Sequence, residues 1–293
     1  MLECVINVSE GRRTDVLRAL VATCGGGLLD LHTDPDHNRS VFTLAVRRDD
    51  LAAAALRLAR AAGEHIDISS HAGVHPRLGA VDVVPFVALA GEEPGTAVVV
   101  ARSWGEQAAG TLAVPVFLYG DADPTGRSLP ETRRDAFAGR PPDFGPAVPH
   151  PRLGAIAVGA RPVMVAVNCQ LDSPDLQQAR RIAGQVRERD GGMPGVRALG
   201  FWLASKDRAQ VSMNLVDLGA TGLEAACSEV RRLARAEGAD VAVVELVGLV
   251  PASELARCSP GFLHWSGLGV DQTIDTRLRA AGLLDDEEGP DGP

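Results

Sequence analysis

Residues 155–169, AIAVGARPVMVAVNC, place two apolar runs almost end to end, AIAVGAR and VMVAVNC, with the break at Arg161. Short apolar runs bounded by breakers are the pattern of buried strands. Two such strands back to back read as the last strand of one subdomain and the first of another. Working downstream, a helix (Pro174–Arg189), two strands (Val196–Ala204 and Gln210–Leu218), a helix (Leu223–Glu237) and a strand (Asp240–Val247) follow. With VMVAVNC at its head, the second half is β-α-β-β-α-β, the split βαβ arrangement.

Working upstream, the same order recurs. Leu2–Asn7 reads as a strand, and Arg13–Cys24 as a helix with Val16, Leu17, Leu20 and Val21 at helical spacing, ended by Gly25–Gly27. Strands at Gly27–Thr33 and Ser40–Arg47, a helix at Asp49–Ala62 and a strand at Ala80–Leu89 complete the pattern. A further helix (Thr96–Thr111) and strand (Val114–Gly120) are additional to it. Asp121–Pro151 is rich in proline, glycine and charge, and reads as a long irregular segment of the kind that is functional or disordered. The expected fold is α+β in two layers: two subdomains, each a sheet covered by helices. Their expected limits are 1–162 and 163–284, followed by an acidic tail at 285–293 that is too poor in apolar groups to order itself.

The chain has 293 residues, 45% of them hydrophobic and 23% charged, enough to bury a sizeable core. Its formal charge of -9 repels phosphate backbones and anionic lipid, which argues against nucleic acid and membrane partners. Small anions stay open, because a local arginine cluster can bind them. Five cysteines, odd in number and without a CxxC pair, argue against a disulfide framework or zinc site and fit a reducing compartment. The N-terminus has no basic flank and long apolar run, and no stretch reaches the roughly 18 apolar residues that span a bilayer. A cytoplasmic protein is expected.

Five of the seven histidines lie in the first quarter, at 32, 37, 65, 71 and 75. The decapeptide HAGVHPRLGA, 71–80, is the densest concentration of unusual chemistry. Pro76 disfavours helical backbone at His75, and Gly73 and Gly79 permit tight turns and close approach. Arg77 is a fork suited to a carboxylate. Imidazole titrates near neutrality and can accept and return a proton. The plain alternative is a surface histidine without a role, but these surroundings favour His75 as a general base. HPRLGA recurs at 150–155, again leading from an irregular loop into an apolar strand. Either composition produced the repeat, or two loops of matching chemistry face one cleft from opposite sides. HTDPDHNR, 32–39, offers His32, Asp34, Asp36 and His37. A metal site and a polar Asx-type turn both fit it, and no strong metal spacing is present, so no metal is expected. Asn38 and Arg39 are candidate ligands of a substrate carboxylate. GxSxG and a dinucleotide-binding glycine loop are absent.

Seven segments in order along the chain carry a resemblance: ECVINVSEGR (3–12), DHNRSVFT (36–43), HAGVHPRLGAVDVVPF (71–86), VPVFLYG (114–120), PDFGP (142–146), AQVSMNLVD (209–217) and LVGLVP (246–251). They resemble the glutamate formimidoyltransferase family, the formiminotransferase part of formiminotransferase-cyclodeaminases. The cyclodeaminase part fused to it in animals has no expected counterpart here. The resemblance implies transfer of a formimino group from N-formimino-L-glutamate to tetrahydrofolate as co-substrate, in one-carbon metabolism and histidine degradation, by a homodimer. It implies His75 as the catalytic residue and a folate tunnel flanked by the two sheets. Folate contacts would fall on Gly145, Pro146, Ala147, Val148, Pro149, His150, Pro151, Arg152, Leu153 and Gly154, and on Gly195, Val196 and Arg197. Substrate contacts are expected from Asn38, Arg39 and Arg77, and Arg152 and Arg197 are further candidates for carboxylates. One departure stands inside the motif: relatives carry a base and an acid where this chain has Ala72 and Val74. That leaves open a folate-binding protein with little or no turnover, or a transferase that takes N-formylglutamate.

Overall fold

The structure, a computed structural model, describes residues 1–46 and 48–284. Arg47, the expected end of the third strand, lies outside the described residues, as does the acidic tail at 285–293. The first half runs β1 (Leu2–Val8), α1 (Thr14–Cys24), β2 (Leu28–Asp34), β3 (Arg39–Val46), α2 (Arg48–His65), β4 (Val81–Ala88), α3 (Pro94–Leu112), β5 (Val116–Gly120), α4 (Leu129–Asp135) and β6 (Ile156–Ala160). Its six strands order as β2-β3-β1-β4-β6-β5, with β6 parallel to both neighbours and the other pairs antiparallel. The second half runs β7 (Val165–Leu171), α5 (Leu176–Val186), β8 (Val196–Leu203), β9 (Arg208–Leu215), α6 (Leu223–Ala236) and β10 (Val241–Leu246), in a four-stranded antiparallel sheet ordered β10-β7-β9-β8.

Read from their own first strands, both sheets share one plan. The strands β1 to β4 lie in the order β2-β3-β1-β4, as β7 to β10 lie in the order β8-β9-β7-β10. The first sheet adds β6 and β5 beyond β4. AIAVGAR thus ends inside one sheet and VMVAVNC opens the other.

Period-two alternation gives each sheet a helix-covered face. Leu2, Cys4, Ile6 and Val8 of β1 are fully buried in the first core, with Phe42, Phe86 and Trp104. The indole Nε1–H of Trp104 donates to Ala52 O at 3.1 Å, which satisfies its one polar group. Val165, Val167, Cys169 and Leu171 of β7 do the same in the second core. The alternate positions of the second sheet are polar and still buried: Asn168, Gln170 and Gln210. They are covered because the first subdomain lies over that face. A Cβ built on Gly248, just past β10, would lie 3.3 Å from Thr43 Oγ1 on β3. Ser205 donates to the Asp36 carboxylate from its backbone N–H at 3.0 Å and from its hydroxyl at 2.5 Å.

Three short helices after β10, α7 (Ala252–Ala256), α8 (Pro260–Ser266) and α9 (Ile274–Ala280), were not predicted, since five to seven residues show too little periodicity. α4 interrupts the stretch expected to be irregular. Its capping box is Ser128 with Glu131, whose carboxylate accepts the Ser128 N–H at 2.9 Å.

Candidate active site at the HPR loop

β4 and β6 are parallel neighbours, so the two HPRLGA copies that lead into them lie side by side at one end of the sheet. The expectation that they face one cleft from opposite sides is therefore corrected. Ala80 N–H donates to Leu153 O at 2.9 Å, and Ala155 N–H to Leu78 O at 3.0 Å. Their glycines permit this approach. A Cβ on Gly79 would lie 2.3 Å from Leu153 O and 2.3 Å from Ala155 O, and one on Gly154, at φ +70, would lie 2.2 Å from Leu78 O.

The rest of the first loop is pinned by its own polar groups. Asn38, in left-handed conformation at φ 47, accepts from Gly11 N–H at 3.0 Å and donates to Ala72 O at 3.0 Å. Arg77 turns back on the chain, donating from Nε at 3.2 Å and Nη2 at 2.7 Å to His75 O. Arg39 donates to Asn7 Oδ1 at 3.2 Å and pairs with the fully buried Asp82 of β4. Asn38, Arg39 and Arg77, expected as substrate ligands, are thus engaged in shaping the loop. Aspartates of the HTDPDHNR loop are engaged too: Asp34 accepts from His37 N–H at 2.8 Å, and Asp36 holds Ser205. This is an Asx-type turn that also ties the subdomains together.

His75 itself is half-buried. Its Nδ1 lies 2.7 Å from Pro76 O. A carbonyl oxygen can only accept, so Nδ1 carries the proton and Nε2 keeps its lone pair. The same carbonyl accepts from Arg133 Nη1 at 2.6 Å, and Arg133 Nη2 donates to Asp82 Oδ2 at 2.6 Å. Asp82 Oδ1 accepts from Leu78 N–H at 2.7 Å. Burial alone would raise the Asp82 carboxyl, but the guanidiniums of Arg39 and Arg133 outweigh it and hold it down at about 2. Burial, followed by the charges of Arg39 and Arg133, pushes the His75 imidazole down to about 3, so it is neutral at physiological pH. Burial lowers His37 as well.

The facing wall belongs to the second subdomain. Phe201 of β8 has its ring centroid 5.9 Å from that of His75 and 4.9 Å from that of His37. Beside it opens a cleft of about 690 Å³, lined by Val74 and Pro76 of the HPR loop and by Leu176, Arg180, Arg187, Leu199, Phe201 and Trp202. Arg187 pairs with Asp190. Arg180 has no hydrogen-bond or ion-pair partner among the described residues. Sequence reasoning missed Asp82, Arg133, Arg180 and Phe201. Asp82 did carry a signal, as a lone carboxylate in the valine-rich strand VDVVPF.

The segment Gly145–Gly154 meets the fold at its two ends and is exposed over most of its length between them. Leu153 sits against Gly63 of α2, and a Cβ on Gly145 would lie 2.3 Å from Val114 O. His150 closes a turn, its Nδ1 accepting from Arg152 N–H at 3.2 Å and Leu153 N–H at 3.0 Å. Arg152 lies 3.5 Å from Asp67 at the surface. Gly195, at φ +71, starts β8 against Asp217, Val196 is buried in the second core, and Arg197 is exposed.

With this geometry in place, comparison with known proteins is decisive. Residues 1–161 match the model of the formiminotransferase domain, N-terminal subdomain, and residues 166–284 match that of the formiminotransferase domain. The chain belongs to the formiminotransferase family. A formimidoyltransferase-cyclodeaminase from Sus scrofa is 41% identical over 276 residues, which is 87% of this chain and 51% of that protein. A glutamate formimidoyltransferase from Streptococcus pyogenes serotype M1 is 37% identical over 279 residues, 90% of this chain and 93% of that protein. Another from Thermoplasma acidophilum is 33% identical over 302 residues, 97% and 99% of the two chains. The chain therefore spans about half the length of the two-part relative and nearly all of the one-part ones. Among the described residues, no helix is long and apolar enough to cross a membrane.

Proposed function

We propose that this formiminotransferase-family enzyme moves the formimino group of N-formimino-L-glutamate to tetrahydrofolate, giving 5-formiminotetrahydrofolate and L-glutamate, with His75 carrying the proton. The observation that carries the reading is the bond from His75 Nδ1–H to Pro76 O, which leaves Nε2 as a free base. As N5 of the pterin bonds to the formimino carbon, His75 Nε2 takes the proton that N5 loses. It then delivers that proton to the glutamate nitrogen as the carbon–nitrogen bond of the donor breaks. One neutral imidazole serves both steps, a contribution of typically about 10²–10⁴ in rate.

The neighbouring cleft suits both partners. Phe201, Trp202 and Leu199 offer apolar surface to a flat ring, and Arg180 offers an unpaired guanidinium to a carboxylate. With Asn38, Arg39 and Arg77 engaged in the loop, Arg180 replaces them as our candidate carboxylate ligand. The resemblance supports folate contacts at 145–154 and 195–197, a homodimer and a division of the chain near residues 162 and 163. The unpaired cysteines support a cytoplasmic setting.

A single-turnover assay with tetrahydrofolate and either formiminoglutamate or formylglutamate tests the reading. The expected products are 5-formiminotetrahydrofolate from the first donor and 5-formyltetrahydrofolate from the second, the former made faster and undiminished by exhaustive chelation. Folate binding without product from either donor rejects it.

A further inference from the structure

We propose that Arg133 of α4 is a positioning residue, whose grip on the Pro76 carbonyl holds the His75 ring with Nδ1 as its donor and Nε2 bare. The inference rests on the reading of His75 as the proton carrier. A histidine beside a backbone carbonyl can rotate its ring or swap its tautomer unless that carbonyl is itself fixed. Here Pro76 O receives two donors, His75 Nδ1 at 2.7 Å and Arg133 Nη1 at 2.6 Å. The second arm of the same guanidinium reaches Asp82 Oδ2 at 2.6 Å. Asp82 has no exposed side-chain surface and is anchored independently by Arg39 and by the Leu78 N–H. The chain of contacts from Asn7 through Arg39, Asp82 and Arg133 to Pro76 thus ends on the catalytic ring.

The geometry requires arginine. A planar fork can hold a carbonyl and a carboxylate at once, whereas an ammonium on a flexible stem holds one point at a time. The side chain of Arg133 is only 16% exposed and that of Asp82 not at all, so water does not compete freely for the bond that aims the guanidinium. The helix that supplies it is seven residues long and is started by the Ser128 and Glu131 capping box, which sets where Arg133 emerges. A purely structural role, tying α4 to β4, would be served by the Asp82 bond alone and would leave the Pro76 bond without purpose.

The test compares wild type with Arg133→Lys and Arg133→Gln. Side-chain ¹⁵N resonances of His75 report its tautomer at neutral pH, and steady-state kinetics with formiminoglutamate and tetrahydrofolate give kcat and KM. The expected result is a single Nδ1–H tautomer in the wild type and a mixture in both variants. With it, kcat falls at least about tenfold while KM changes less than about threefold. A kcat within about twofold of wild type, or an unmoved tautomer, in folded variant overturns the proposal. Should Arg133→Gln fail to fold, Arg133→Lys carries the test, because it keeps a cation opposite Asp82. His75→Ala is assayed alongside: full activity there defeats the reading of His75, while the tautomer in the Arg133 variants still decides the positioning.

Discussion

HPRLGA at 75–80 and HPRLGA at 150–155 are identical in sequence and lie beside each other, hydrogen-bonded through the residues that flank their glycines, yet their histidines are held in opposite ways. His75 donates from Nδ1 to the next carbonyl, which leaves Nε2 free, and its ring lies near Phe201. His150 accepts at Nδ1 from two backbone N–H groups and closes a turn near the helix layer. Their arginines diverge too. Arg77 folds onto its own loop, and Arg152 meets Asp67 at the surface. The hexapeptide therefore encodes the strand entry and the close approach of the two loops. What the histidine does is decided by the neighbours: Arg133, Asp82 and the second subdomain at one copy, the N–H groups of its own turn at the other.

The largest expected effect breaks what the copies share. Gly154→Val forces a side chain onto Leu78 O at a left-handed φ, and Gly79→Val forces one between Leu153 O and Ala155 O. Each should cost about 3 kcal/mol in urea unfolding, against a change within about 0.5 kcal/mol for Gly26→Ala, which opens into free space. The next effect separates the copies by pH. His75 is held near 3 in the folded chain against about 6.5 unfolded, so between those values the unfolded chain binds the extra proton. Its stability contribution is complete above about 6.5 and is lost as pH falls toward 3. His75→Phe should flatten the fall of the urea midpoint across that window, whereas an unaltered profile would show that the ring is not held neutral. Smallest is the contrast of arginines. Arg77→Ala removes two hydrogen bonds inside the loop and should cost about 1–2 kcal/mol, while Arg152→Ala loses an exposed ion pair and should cost less than about 0.5 kcal/mol.

Most of the strands and long helices were legible because their periodicity is local. The shared element order was legible from the same pattern before and after Arg161, whereas the shared strand order within the sheets appears only in the structure. The position of the two loops was not legible, because β4 and β6 pair in parallel across the intervening α3, β5 and α4. His75 was visible from Pro76 and the flanking glycines. Asp82 was visible only as an anomaly, a charge in an apolar strand that must have cationic partners. One of those partners, Arg133, lies 51 residues away in a stretch whose prolines and charges masked a seven-residue helix. Arg39 was read as a ligand because its loop is polar, and only the structure shows it engaged with Asn7 and Asp82.

On the proposed reading, one of two identical motifs carries the proton and the other does not. Parallel turnover measurements on His75→Ala and His150→Ala, with formiminoglutamate and tetrahydrofolate, test it directly. The expected result is a loss of at least about 10² in kcat for His75→Ala with folate still bound, and a change of less than about threefold for His150→Ala. Equal losses, or a larger loss at His150, would contradict it.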